Sequence, residues 1–351
     1  MNIKTKNTYS WKHKLTAGCL STLFMLAVFA AIGSFVPWGN GSLTKMLVRK
    51  AWFFKEKYLS VTDLGILEED PAYGWRLIPG SKGRHFVPFG FHVTYTIDEE
   101  GNRTTPRAYD LPKVLFLGCS FTMGHGVEDD EPFVSKLAGK WSRYKFINGG
   151  VMAWGTTQAS KKLEETLGRF NDVKLVVYTA IGHHERRNYP DSAWLDLVAT
   201  FGKKPPFVDV ENGRLVWKGL TDVKNLPPRN AADLASKGSQ ITRLLLQNMR
   251  AACEARGIPF LVVYLPSEES CDLKPDILAT VSEDHFLDLR DKVDLSGDNV
   301  NGFDSHPNAA GHAAVARLLK PFIEKWLTPV DSSTVTYLGE TNSGKPSCKP
   351  F

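Results

Sequence analysis

Five short apolar runs, separated by segments of helical spacing, constrain this chain more than any other feature of it. They are Val114–Leu117, Phe146-Ile147, Leu175–Tyr178, Phe260–Leu265 and His285–Leu289. A strand with one wet face alternates apolar and polar residues, whereas a strand covered on both faces is apolar throughout. Between the runs lie helical patterns, among them Thr157 to Phe170 and the series Leu234, Ile241, Leu244, Leu245 and Met249. A final helix carries Val315, Leu318, Leu319, Phe322, Ile323 and Trp326 on one face. Continuous runs with helices between them predict an α/β domain over 111–328, a parallel sheet layered by helices on both sides.

The flanks read differently. Residues 38–110 hold Tyr73-Gly74-Trp75, then Phe91, Val93, Tyr95 and Ile97 in strand alternation, closed by a turn at Glu100-Gly101-Asn102. This predicts a small β-rich lead-in. Residues 191–230 interrupt the α/β rhythm with a hairpin whose turn is Asn212-Gly213, a strong two-residue turn signal. The segment reads as an insertion, a lid or a wall on the substrate side. Residues 329–351 are rich in Ser, Thr, Gly and Pro and read as a flexible tail.

At the other end, Leu15 to Pro37 carry no charge, long enough for a helix across a bilayer core of roughly 30 Å. Lys4, Lys6, Lys12 and Lys14 precede it without an acid, so residues 1–14 are expected to stay in the cytoplasm and the bulk to be exported. A cleaved signal peptide is the rival reading, but its apolar core would be only about 7–15 residues. The expected location is therefore the cytoplasmic (inner) membrane, single-pass, with the main domain on the periplasmic or extracytoplasmic side. Formal net charge is +5, much of it in that tail; the remainder is near balance, which argues against a nucleic-acid surface. The five cysteines form no CxxC or Cys/His cluster, so no structural zinc is expected.

Ligands of an open parallel sheet bind beyond the carboxyl ends of its strands, and four polar groups fall there. Ser120 follows the first run within Gly118-Cys119-Ser120-Phe121-Thr122. Read alone it is a turn or helix-cap serine. With a base to take its proton it is a nucleophile. Asp304-Ser305-His306-Pro307 supplies that base, since a carboxylate two residues away can orient His306 and leave its other nitrogen for Ser120. Asn148-Gly149-Gly150 permits close backbone approach. A Gly150 N–H there, together with that of Ser120, can donate to an oxyanion; an ordinary strand-to-loop turn fits the same residues. The fourth group is His184, in Ile181-Gly182-His183-His184-Glu185. A metal site built from these last residues is conceivable, but their spacing on a loop is poor evidence for one. His312 reads as a structural or exposed residue of the last helix.

These four blocks, in this order, resemble those of the SGNH/GDSL hydrolases over roughly residues 111–328. Tyr73-Gly74-Trp75 with the following hairpin also looks like the lead-in of anchored bacterial members. The resemblance implies a three-layer flavodoxin-like fold, no cofactor, and a Ser/His/Asp triad of Ser120, His306 and Asp304. It also implies an oxyanion hole from the Ser120 and Gly150 N–H groups and a third-block side chain. Two departures stand out. Cys119 occupies a position that is often Asp, and His184 occupies the place of the third-block Asn, with Asn188 as the nearest alternative. Losing one oxyanion donor typically costs about 2.7–4 kcal/mol of transition-state stabilisation.

The implied activity is a serine esterase or deacetylase acting on acylated cell-envelope glycans or exopolysaccharide, or on another ester. If a sugar hydroxyl replaces water, the same residues make an O-acyltransferase. A catalytically silent glycan-binding scaffold is the third reading. An α/β-hydrolase elbow is disfavoured because Gly-x-Ser-x-Thr lacks its second glycine.

Overall fold

In the computed structural model of the chain, the described residues are 61–63, 65–87, 91–199, 202–222, 224, 231–267, 272–295, 300 and 306–327. The basic tail (1–14), the apolar span (15–37), the C-terminal tail (329–351) and Asp304 lie outside them. Among the described residues no helix is long and apolar enough to cross a membrane.

The lead-in is built of five short strands: β1 (Val61–Asp63), β2 (Leu67–Asp70), β3 (Gly74–Leu77), β4 (Lys82–Phe86) and β5 (His92–Thr96). β2 and β3 form a hairpin, and β1, β4 and β5 a three-stranded antiparallel sheet. Val93, Tyr95 and Ile97 point inward, as their alternation requires, and join Trp75, Leu77 and Trp154 in one apolar cluster. Two isolated bridges, Ile97 to Arg103 and Arg103 to Asn148, tie the lead-in to the main sheet.

The main sheet comprises β6 (Lys113–Gly118), β7 (Lys145–Gly150), β8 (Val173–Ala180), β11 (Phe260–Tyr264) and β12 (Phe286–Asp288). All its pairings are parallel, in spatial order β7-β6-β8-β11-β12. Counted along the chain that order is 2-1-3-4-5, the flavodoxin-like arrangement, with its topological switch point between β6 and β8. The uninterrupted apolar runs have a direct cause. Val114, Phe116, Leu175 and Val177 face one core, while Leu115, Leu117, Val176 and Tyr178 face the other.

Helices cover both faces. On one lie α2 (Phe133–Ala138) and α8 (Ala309–Glu324), through Phe133, Leu137, Val315, Leu319 and Ile323. On the other lie α3 (Thr156–Arg169), α6 (Ala231–Glu254) and α7 (Lys274–Leu278). Of three shorter or peripheral helices, α1 (Ser120–Met123) and α4 (His183–Asn188) follow strand ends, and α5 (Ser192–Ala199) follows α4.

Within the 191–230 segment, β9 (Pro206–Glu211) and β10 (Arg214–Leu220) form the anticipated hairpin, with Asn212 and Gly213 both at positive φ (50° and 74°). Val208 packs with Ile241 and Leu245 of α6, and Lys161 of α3 lies 4.5 Å from the Trp217 ring centroid. The hairpin therefore braces the helical layer on that face.

Candidate active site

The chain leaves β6 at the switch point and turns at once into α1, so Ser120 opens a four-residue helix. Its N–H has no acceptor one turn back, and the residue is 6% exposed. The carbonyl of Ser120 accepts from the N–H groups of Gly124 (2.9 Å) and His125 (3.0 Å), which closes the turn. Cys119 fills the N-cap position as a buried free thiol.

His306 reaches this turn from the segment before α8. Its Nε2 lies 2.7 Å from Ser120 Oγ, although the two residues are 186 apart in sequence. Asn308 caps α8 by accepting from the N–H groups of Ala310 (2.9 Å) and Gly311 (3.0 Å), which fixes where the helix begins and the preceding loop ends. Phe121 and His125 pack on the His306 ring, with centroids at 4.8 and 4.4 Å.

The other sequence candidates have different surroundings. Gly150 ends β7 as a strand residue rather than a turn, and its N–H donates to Asn148 Oδ1 at 3.2 Å. In this arrangement the Gly150 N–H is turned to Asn148, and the glycine also has a packing role. A Cβ at Gly150 would stand 2.4 Å from Met123 N and 2.7 Å from Thr122 Cβ, so only glycine lets β7 lie against α1. Asn148 Nδ2 in turn donates to Thr122 O at 2.9 Å.

His184 is fully buried in α4, with Nδ1 2.6 Å from the Tyr178 hydroxyl, which is also 2.8 Å from Thr156 Oγ1. Its Nε2 has no partner among the described residues. Asn188 is also committed: Oδ1 accepts from Thr156 N (2.8 Å), and Nδ2 donates to Thr156 and Thr242 Oγ1 (2.8 Å each). It caps α3 and is not available as an oxyanion donor. Among the described residues no His/Cys/Asp/Glu group could hold a metal ion.

Two features of the site are invisible in the sequence. Ala153, in the loop from β7 to α3, has φ +63°, a left-handed backbone that is strained for a residue with a Cβ. The N–H groups of Met152 and Ala153 have no acceptor among the described residues, while Met152 O and Trp154 O are held by Trp75 Nε1 and Arg187 Nη1 (2.8 Å each). The loop thus has its carbonyls tied back and leaves two N–H groups without an acceptor among the described residues. The second feature is His125, whose ring packs on that of His306.

Buried histidines give the fold a pH dependence. Burial, then the nearby Arg187 charge, holds His184 well below its ordinary 6.5. Burial, then Arg103 and Lys136, pulls fully buried His312 down to about 3, and its Nδ1 accepts from Phe133 N at 3.3 Å. Both pKa values are depressed on folding, so only the unfolded chain takes up these protons as pH falls from 6.5. Stability then declines by up to about 1.4 kcal/mol per pH unit for each histidine. Glu185 opposes this: burial, then Asp276, pushes it up to about 7, so its contribution is present below its ordinary 4.5 and lost as pH rises toward 7. Two histidines outweigh one carboxyl, and the urea midpoint is expected to fall between about pH 6.5 and about pH 5. A midpoint constant over that range would contradict the assignment.

Fold and site together define an α/β protein of flavodoxin-like strand order, with a serine–histidine pair at the switch point of its sheet. No family model matches the chain, and no curated protein matches it in sequence. Among solved structures the chain is similar to a psychrotrophic esterase from Pseudoalteromonas sp., at 14% identity and TM-score 0.38, covering 62% of this chain and 100% of that one. It is similar to a member of the lipolytic protein G-D-S-L family from Veillonella parvula, at 11% identity and TM-score 0.34, covering 58% and 94%. It is also similar to an acetyl xylan esterase from Butyrivibrio proteoclasticus, at 14% identity and TM-score 0.35, covering 64% and 66%. At such identities and scores the likeness adds no argument about chemistry, which rests on the site's own geometry.

Proposed function

We propose that this chain is a serine esterase of SGNH type, a carboxylic ester hydrolase with Ser120 as nucleophile and His306 as base. The observation that carries the reading is the 2.7 Å approach of His306 Nε2 to Ser120 Oγ at the switch point. A hydroxyl is a weak nucleophile until a positioned base accepts its proton. Ser120 Oγ attacks the ester carbonyl carbon as its proton passes to His306 Nε2. The tetrahedral oxyanion is held by the N–H groups of Ser120 and of the Met152-Ala153 loop. Collapse breaks the C–O bond, and the leaving alcohol takes the proton from Nε2. Water then attacks the acyl-Ser120 carbonyl with the same base, releasing the acid and the free serine. Asp304, in this reading, orients the His306 ring.

The uncharged stretch at 15–37 supports a single-pass anchor in the cytoplasmic membrane, with acylated envelope glycans as substrate. A sugar hydroxyl replacing water in the second step would make the same site an O-acyltransferase.

The full chain in detergent, incubated with a serine-directed phosphonate, is expected to gain one adduct, located on Ser120 by peptide mass spectrometry. It is also expected to hydrolyse p-nitrophenyl acetate. Acetate released to water from an acetylated polysaccharide separates hydrolysis from transfer to an added acceptor. Absence of both adduct and turnover would remove the esterase reading.

A further inference from the structure

His306 lies three residues before helix α8, which begins at Ala309, and its carbonyl accepts from Val300 N at 3.0 Å. Its ring must point Nε2 at Ser120 Oγ, and misplacing a reacting group by about 1 Å can cost on the order of a hundredfold in rate. The ring is held from the side by packing. His125 has its centroid 4.4 Å from that of His306, with the planes inclined 40°.

His125 is itself fixed on three sides. Its N–H donates to Ser120 O (3.0 Å), so its backbone belongs to the nucleophile's own turn. Gly126 follows with φ +79°, and a Cβ there would stand 2.7 Å from Val300 Cγ1, so this turn lies directly against the segment that carries His306. From the lead-in, His85 meets the His125 ring edge-on at 5.1 Å and Phe91 at 5.4 Å. His85 Nδ1 lies 3.1 Å from the Tyr95 hydroxyl, which also accepts from Gly126 N at 2.9 Å. His125 and His85 are 8% and 2% exposed, so the stack is a buried one.

We infer that His125 is a positioning residue of this site, a planar wedge that helps set the angle of the His306 ring and carries the rigidity of the lead-in to the catalytic base. The inference rests on the esterase reading and extends it. The lead-in contributes no reacting atom, yet its strands β4 and β5 become part of the active-site frame. The contact is ring against ring, so phenylalanine should replace histidine here and a side chain without a planar ring should not.

The test uses the full chain and three variants, His125→Phe, His125→Leu and His125→Ala. Removing the ring is expected to lower kcat by about tenfold or more with KM changed by less than about twofold, because the loss falls on orientation of the base. His125→Phe is expected to recover kcat to within about threefold of the parent. The rate of Ser120 phosphonylation should follow the same order, since it needs the Ser120–His306 pair and no acyl substrate. If His125→Ala fails to fold, the Phe and Leu comparison decides by itself. Folded Ala or Leu variants with parental kcat would overturn the inference, as would a Phe variant impaired as deeply as Leu. Absence of Ser120-dependent turnover and labelling in the parent would instead remove the esterase reading and this inference with it. A parent that is active and labelled while all three variants match it removes the inference alone.

Discussion

Alanine at Ser120 is expected to lower kcat for p-nitrophenyl acetate by on the order of 10^4- to 10^6-fold, alanine at His306 by a similar factor, and both together by no more than either alone. The hydroxyl and the imidazole act as one unit across 2.7 Å. Without the base the hydroxyl keeps its proton, and without the hydroxyl the base has nothing to activate. What survives is the acceleration due to substrate binding and the oxyanion donors, which neither substitution touches. Ser120→Ala should leave the fold intact, because the turn is closed by backbone bonds onto Ser120 O and not by its side chain. His306→Ala also removes a ring packed on Phe121 and His125, so its thermal midpoint should be measured beside its rate. If the two losses multiplied in the double variant, Ser120 and His306 would be acting independently and the pair would not be a catalytic unit.

How much of this was legible in the chain depends on whether the governing contact is local. The parallel sheet could be read because each buried strand sends successive residues into opposite cores, which forces uninterrupted apolar runs such as Val114–Leu117. The Asn212-Gly213 turn could be read because two positive φ angles in succession demand such residues. Ser120 and His306 could be singled out because each adjoins an element end with a recognisable neighbour, glycine before one and proline after the other.

Hydrogen-bond partners could not be read, because residue type and spacing do not say which of several polar groups within reach a donor will take. Nothing in Asn148-Gly149-Gly150 shows that the Gly150 N–H would be taken by Asn148 Oδ1. Nothing near His184 shows that Nδ1 would meet Tyr178, or that Asn188 would be spent on Thr156 and Thr242. The left-handed Ala153 lies in a loop without any sequence signal for that conformation. The 191–230 segment was legible as a hairpin but not in its placement, since packing against Ile241, Leu245 and Lys161 is decided by tertiary contacts.

Arg103 gives the largest expected effect on stability. It is 0% exposed and stands at the point where the lead-in is stitched to the main sheet, bridged to Ile97 on one side and Asn148 on the other. Its Nη1 donates to Met123 O (3.0 Å) and to Gly124 O, its Nη2 to Val127 O (2.6 Å), and its Nε to Asp129 (3.3 Å). The guanidinium also lies 4.7 Å from the Tyr95 ring centroid. Burial pulls its pKa below the ordinary arginine value, while Tyr95 and Asp129 pull the other way. Three carbonyls of the 123–127 segment thus converge on one buried cation. That segment contains His125, so the guanidinium also holds the turn that faces His306. Arg103→Met keeps much of the volume but strands those carbonyls, and breaking a buried charged network in this way typically costs about 3–5 kcal/mol. Against a total of roughly 5–15 kcal/mol for a typical domain, the variant should unfold at a much lower urea midpoint. Arg103→Lys should recover only part of the loss, because an ammonium is a single point charge and cannot present the planar fork that reaches separated acceptors. A methionine variant within about 1 kcal/mol of the parent, at an unchanged m value, would show that the carbonyls find other donors and that this junction is not what holds the two sheets together.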